Sequence, residues 1–180
     1  MVYQVLDDAA FTVVQLEPTE LDDIKALRDK LREFAVFDEH APPRVRAYAQ
    51  EAATADGTDP LPADVDRELL RDFLTESRDG LAAAEQALLA LESDPSDQES
   101  INVVFRAFHT IKGTSAFMGL DQVAGFAHHA ESLLSRVREK ELAYSQEVAS
   151  LSLRSSDLLR DLLDAVDTAL RELGRERSLR

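Results

Sequence analysis

In the stretch FRAFHTIKGTSAFMGL (residues 105–120) the apolar residues recur at helical spacing, and the same run carries His109, Lys112 and Gly113. A glycine inside a helix costs about 1 kcal/mol relative to alanine, so Gly113 needs a reason. With each helical residue advancing about 100°, the buried stripe is Ile101, Val104, Phe108, Ile111 and Ser115. His109 then lies roughly 120° from the centre of that stripe, on a flank. Lys112 falls between His109 and the stripe, and Gly113 is nearly in line with His109. Helical side chains lean toward the N-terminus, so the residue at i+4 shades the patch over residue i. Glycine at 113 therefore leaves the imidazole open to an approaching macromolecule. A break in the helix or a close helix–helix contact is the competing reason for a glycine there.

A second group sits in FAHHAESLL (126–134). His128 and Glu131 share one flank of that helix, about 60° apart, with His129 on the opposite side. Flanks of adjacent helices border one groove, so Glu131 or His128 is placed to approach His109. A carboxylate beside one imidazole nitrogen fixes the tautomer and leaves the lone pair of the other nitrogen available. It also stabilises the positive charge that grows when that lone pair attacks phosphorus. Lys112 supplies charge to balance a phosphoryl group. Together these residues describe a nucleophilic histidine that carries phosphate.

Four amphipathic helices position them. The first starts near Asp64, has Asp66 and Glu68 in its opening turn, repeats Leu69, Phe73, Leu81, Leu88 and Leu91, and ends at SDP (93–95). Ser96 and Glu99 form a capping-box pair for the second, which runs to about Gly119. Asp121 caps the third, whose stripe is Val123, Phe126, Ala127, Ala130, Leu133, Leu134 and Val137. After the turn EKELAY, Ser145 opens the fourth, with Val148, Leu151, Leu158, Leu162, Val166 and Leu170 inward and Gly174 as its stop. Short connections make successive helices antiparallel neighbours. The expected fold is all-α, an antiparallel up-and-down four-helix bundle over 64–175 with a tail at 176–180.

Residues 1–56 read as a small helical appendage, joined by a linker at 57–63. Its first sixteen residues are ambiguous between a short strand and an irregular lead-in. Thr19 caps a helix with Leu21, Ile24, Leu31 and Phe34, and Pro42 and Pro43 suit the first turn of a shorter one bearing Val45, Ala49 and Ala52.

Thirty-five acidic against 20 basic residues give a formal charge of −15, which repels nucleic acid and anionic lipid. No apolar run approaches the roughly 20 residues of a membrane span. Asp7, Asp8 and Glu17 do not suit a secretory signal, so the cytoplasm is the expected location. There is no cysteine, hence no disulfide or thiolate chemistry.

The motif H-T-I-K-G behind a large apolar residue, with H-x-x-E about twenty residues later, resembles the histidine-containing phosphotransfer (HPt) domain. The likeness is strongest to the version at the N-terminus of chemotaxis-type histidine kinases, and it covers about residues 65–173. It implies that His109 is the phosphorylated residue, that Lys112 and Gly113 are its helix neighbours, and that His128 and Glu131 are groove partners. It implies as partners a histidine kinase catalytic domain and a response-regulator receiver domain, in a phosphorelay of two-component signalling. No cofactor is then bound by this chain: ATP belongs to the kinase and Mg²⁺ to the receiver. The glycines are isolated and form no nucleotide loop, so the chain is either a kinase fragment or a free-standing carrier. The close after a helix in GRERSLR leans toward the fragment.

Two other readings compete. A metal-binding bundle would use His109, His128, His129 and Glu131, but its usual two Glu-x-x-His clusters are replaced here by one His-x-x-Glu. A scaffold bundle whose histidine is never phosphorylated has no reason to keep the flank beside His109 open.

Overall fold

The computed structural model describes residues 2–7, 10–15, 18–34, 61 and 66–178. The ambiguous opening forms strands: β1 (Val2–Asp7) and β2 (Ala10–Gln15) pair antiparallel, from Val2 opposite Gln15 to Asp7 opposite Ala10. Helix α1 (Pro18–Phe34) follows. The short helix expected around Val45 and nearly all of the 57–63 linker lie outside the described residues; Leu61 from that linker is buried in the core.

Four helices then close a ring: α2 (Arg67–Ser93), α3 (Gln98–Phe117), α4 (Asp121–Arg138) and α5 (Gln146–Ser178). Each packs on the next, and α5 returns to α2. This is the expected four-helix bundle. Helix α1 lies against α4 and α5, where Ile24, Leu27 and Leu31 join the core and Arg28 pairs with Glu147. The α3/α4 side carries the site described below.

The caps differ in detail from expectation. Asp66 is the cap of α2, accepting from the Glu68 and Leu69 amides at 2.9 and 3.2 Å. Asp97, not Ser96, caps α3: it accepts from the Glu99 amide at 3.0 Å and from the Ser100 hydroxyl at 2.6 Å. Ser96 instead donates to Asp94. Leu120, not Asp121, is the cap of α4, and its side chain makes no capping bond. Ser145 does open α5, accepting from the Val148 amide. That helix runs through Gly174 to Ser178, so the glycine is no stop.

Two tight C-terminal turns set the spacing of the middle helices. After α3, Gly119 takes a φ of 73°, the Leu120 amide donates to Ser115 and the Gly119 amide to Ala116. This double bond pattern needs a left-handed residue, which glycine supplies without steric cost. After α4 the same pattern recurs with Lys140 at φ 62°, the Glu141 amide donating to Arg136 and the Lys140 amide to Val137.

The stripes read from the sequence of α3 and α4 are buried throughout. On α5 Val166 is only half buried. On α2 the inward leucine is Leu70, fully buried, whereas Leu69 is 44% exposed. Among its buried residues Leu70, Leu74, Ser77, Leu81, Ala84, Leu88 and Leu91 step alternately by four and three, the seam of a near-parallel helix pair; Phe73 and Ala87 are buried beside that seam, and Leu69 is not. Among the described residues no helix is long and apolar enough to cross a membrane.

Candidate functional site

His109 projects from α3 with its side chain 59% exposed. Across the seam, Glu131 of α4 is 11% exposed and lies beneath it. The His109 Nδ1 to Glu131 Oε1 distance is 2.7 Å, and Lys112 Nζ stands 2.5 Å from Glu131 Oε2. One carboxylate therefore braces both the imidazole and the ammonium, one oxygen to each.

Burial pushes the Glu131 carboxyl pKa upward, but the hydrogen bonds from His109 and Lys112, and then their charges, outweigh it and hold the group below its ordinary value. The carboxylate is thus ionised near neutrality and can only accept. Nδ1 of His109 must then be the donor, which leaves the Nε2 lone pair directed away from Glu131. A site of this kind exposes a nucleophilic nitrogen whose ring is already compensated for positive charge.

Gly113 is exposed, and a β-carbon there would meet nothing within 4 Å. That removes the close-helix-contact explanation and leaves clear space one turn from His109. Ser115, by contrast, is fully buried, donating to the Ile111 carbonyl.

His128 is exposed, its ring lies 5.8 Å from that of His129, and its carbonyl accepts from Ser132. The structure brings His109, Lys112 and Glu131 together and leaves His128 outside that group. Both oxygens of Glu131, a ligand in the metal alternative, are engaged by N–H donors of His109 and Lys112. Among the described residues no group of three or more histidines and acids is placed to hold a metal ion.

Two neighbours went unmarked in the sequence. The Phe105 ring stacks on His109, centroids 5.6 Å apart and planes at 20°, and the Arg138 guanidinium carbon sits 3.7 Å from the Phe105 centroid. Their signal was available as spacing: Phe105 precedes His109 by four residues and Arg138 follows Glu131 by seven, so each shares its partner's helix flank.

Fold and site define a class, a helical bundle that presents one exposed histidine braced by a carboxylate and a lysine. Residues 68–169 match the model of the Hpt domain, and the chain belongs to that family. It is similar to the chemotaxis protein CheA of Rhizobium meliloti, 43% identical over 93 residues that cover 52% of this chain and 12% of that protein. The sensor histidine kinase CheAY of Helicobacter pylori is 36% identical over 97 residues, covering 54% and 12%. Among solved structures, the CheA phosphotransferase domain from Thermotoga maritima matches with a TM-score of 0.53 at 31% identity, over 56% of this chain and 95% of that one. The phosphorylated P1 domain of CheA3 from R. sphaeroides, in complex with CheY6, gives 0.54 at 32%, over 59% and 82%. The matched segment is a small part of the length of those CheA and CheAY relatives.

Proposed function

We propose that this chain is a phosphoryl carrier in a chemotaxis-type two-component phosphorelay, with His109 as the acceptor. The observation that carries the reading is the bridge of Glu131 between His109 Nδ1 and Lys112 Nζ. The Nε2 lone pair attacks the γ-phosphorus of ATP held by a histidine kinase catalytic domain; an N–P bond forms, the bridging O–P bond breaks and ADP leaves. The ring, still protonated at Nδ1, now carries positive charge that the Glu131 carboxylate balances. Lys112, one turn along α3 from His109, adds positive charge to the site that takes up the phosphoryl group. In the second transfer an aspartate oxygen of a receiver domain attacks phosphorus, the N–P bond breaks and the imidazole recovers its lone pair. Mg²⁺ for that step belongs to the receiver, and ATP to the kinase.

The partners follow from this chemistry and from the relatives, one of which was solved as a phosphorylated domain with CheY6. The cytoplasm is the location such a relay requires. Residues 64–175 form the relay module in this reading, with α1 packed against its α4 and α5.

Incubation with a chemotaxis-type kinase catalytic domain and labelled ATP tests the proposal. Acid-labile, alkali-stable label that disappears in His109→Gln is the expected result. An unlabelled wild-type chain with several active kinases favours the scaffold reading instead.

A further inference from the structure

We propose that Phe105 and Arg138 are positioning residues for His109: the guanidinium pins the phenyl ring, and the phenyl ring sets the plane of the imidazole. This rests on the reading of His109 as a phosphoryl acceptor.

The Nδ1 hydrogen bond fixes one point of the imidazole but lets the ring rock about the line to Glu131. A reacting Nε2 needs a defined aim as well as a lone pair, since in-line attack depends on alignment. Phe105 lies one turn earlier on α3, its centroid 5.6 Å from that of His109 and the planes 20° apart. That is an offset stack, the arrangement aromatic rings prefer, and it opposes the rocking motion that the hydrogen bond permits.

Phe105 is itself only half buried, so it needs a support of its own. Arg138 supplies it from α4, its Cζ 3.7 Å from the ring centroid. The guanidinium is anchored at its far side, Nη2 lying 3.5 Å from Ser135 Oγ and 3.2 Å from Glu139 Oε1. Contacts therefore run from Arg138 on α4 to Phe105 and His109 on α3, and back through Glu131 to α4. The imidazole is held from two directions across one seam. An arginine in the last turn of a helix also has a plain role with the helix dipole, but that role requires no aromatic ring.

The test uses the full chain and phosphoramidate, a small donor that needs no docking. Nε2 attacks its phosphorus, the N–P bond to His109 forms, the donor P–N bond breaks and ammonia leaves. We expect Phe105→Leu and Arg138→Gln each to slow labelling of His109 roughly fivefold to tenfold, with Phe105→Tyr and Arg138→Lys restoring most of the rate. NMR relaxation of the His109 side chain is expected to show greater ring mobility in the Leu and Gln variants, a readout that a structural role distant from the ring would not move. The double variant is expected to be no slower than Phe105→Leu, because both residues act through one ring. Arg138→Gln lies at a half-exposed helix end and serves if Phe105→Leu fails to fold. Labelling and ring mobility equal to wild type in Arg138→Gln overturn the positioning role while leaving the carrier intact. A wild-type chain that takes no label at His109 overturns the carrier reading and this inference with it.

Discussion

Replacing Glu131 by glutamine keeps the shape of the site and removes its charge. Glu131 accepts one bond from His109 and one from Lys112, and its side chain is 11% exposed, so water offers little compensation. A hydrogen bond to a charged group contributes about 1.5–3 kcal/mol and a neutral one about 0.5–1.5 kcal/mol, so the change at the imidazole is about 1–1.5 kcal/mol. At 1.36 kcal/mol per factor of ten, phosphorylation of His109 should slow by roughly tenfold. Labelled transfer from a kinase catalytic domain, and from phosphoramidate alone, measures this without and with docking removed. Stability provides a second, independent reading. The folded-state pKa of Glu131 lies below its ordinary value of 4.5, so its ionised form stabilises the fold above that pH. That contribution is lost as pH falls through the folded value. The difference in stability between wild type and Glu131→Gln should therefore be largest near neutrality and shrink in acid. A glutamine variant phosphorylated within twofold of wild type by both donors would refute the role given to the carboxylate.

Gly113→Ala should stabilise the chain by about 1 kcal/mol with transfer retained, because a β-carbon meets nothing within 4 Å. Gly113→Leu should also stabilise α3 yet impair transfer to the receiver; thermal melts and transfer kinetics together decide, and normal transfer would give the glycine another purpose. Leu70→Ala should cost about 2–5 kcal/mol in chemical denaturation, whereas Leu69→Ala should change little, since only Leu70 is buried. Equal effects would misplace the α2 stripe. Lys140→Gly should stabilise by up to about 1 kcal/mol by relieving a left-handed lysine at φ 62°. Loss of stability there would mean that the lysine side chain contributes more than its backbone costs.

The stripes of α3 and α4 were legible because one apolar period ran through each without interruption, and the same period put His109 on a flank. Where two candidates stood side by side the period could not choose. Leu69 and Leu70 are both apolar, and only the seam against α3 and α5 selects the second. Ser96 with Glu99 and Asp97 with Ser100 have the same spacing, and in the structure it is Asp97 that accepts from the Glu99 amide and the Ser100 hydroxyl while Ser96 turns to Asp94. Gly174 resembles a stop, but a glycine stop works through a left-handed turn, which Gly119 supplies and Gly174 does not. The period of α4 puts Glu131 on a flank, yet it is buried, with His109 and Lys112 of the neighbouring helix in contact with it. Burial that arises from side chains crossing a seam leaves no trace in the period of either helix; spacing puts Phe105 beside His109 and Arg138 on the flank of Glu131, but it does not show that Arg138 and Phe105 meet.

Long-range ¹H–¹⁵N NMR of the phosphorylated chain tests the central claim most directly, since it identifies both the residue and the ring nitrogen that carry phosphorus. The account predicts phosphorus on Nε2 of His109, with a proton retained on Nδ1 facing Glu131. Phosphorus on Nδ1, or on His128 or His129, would contradict it.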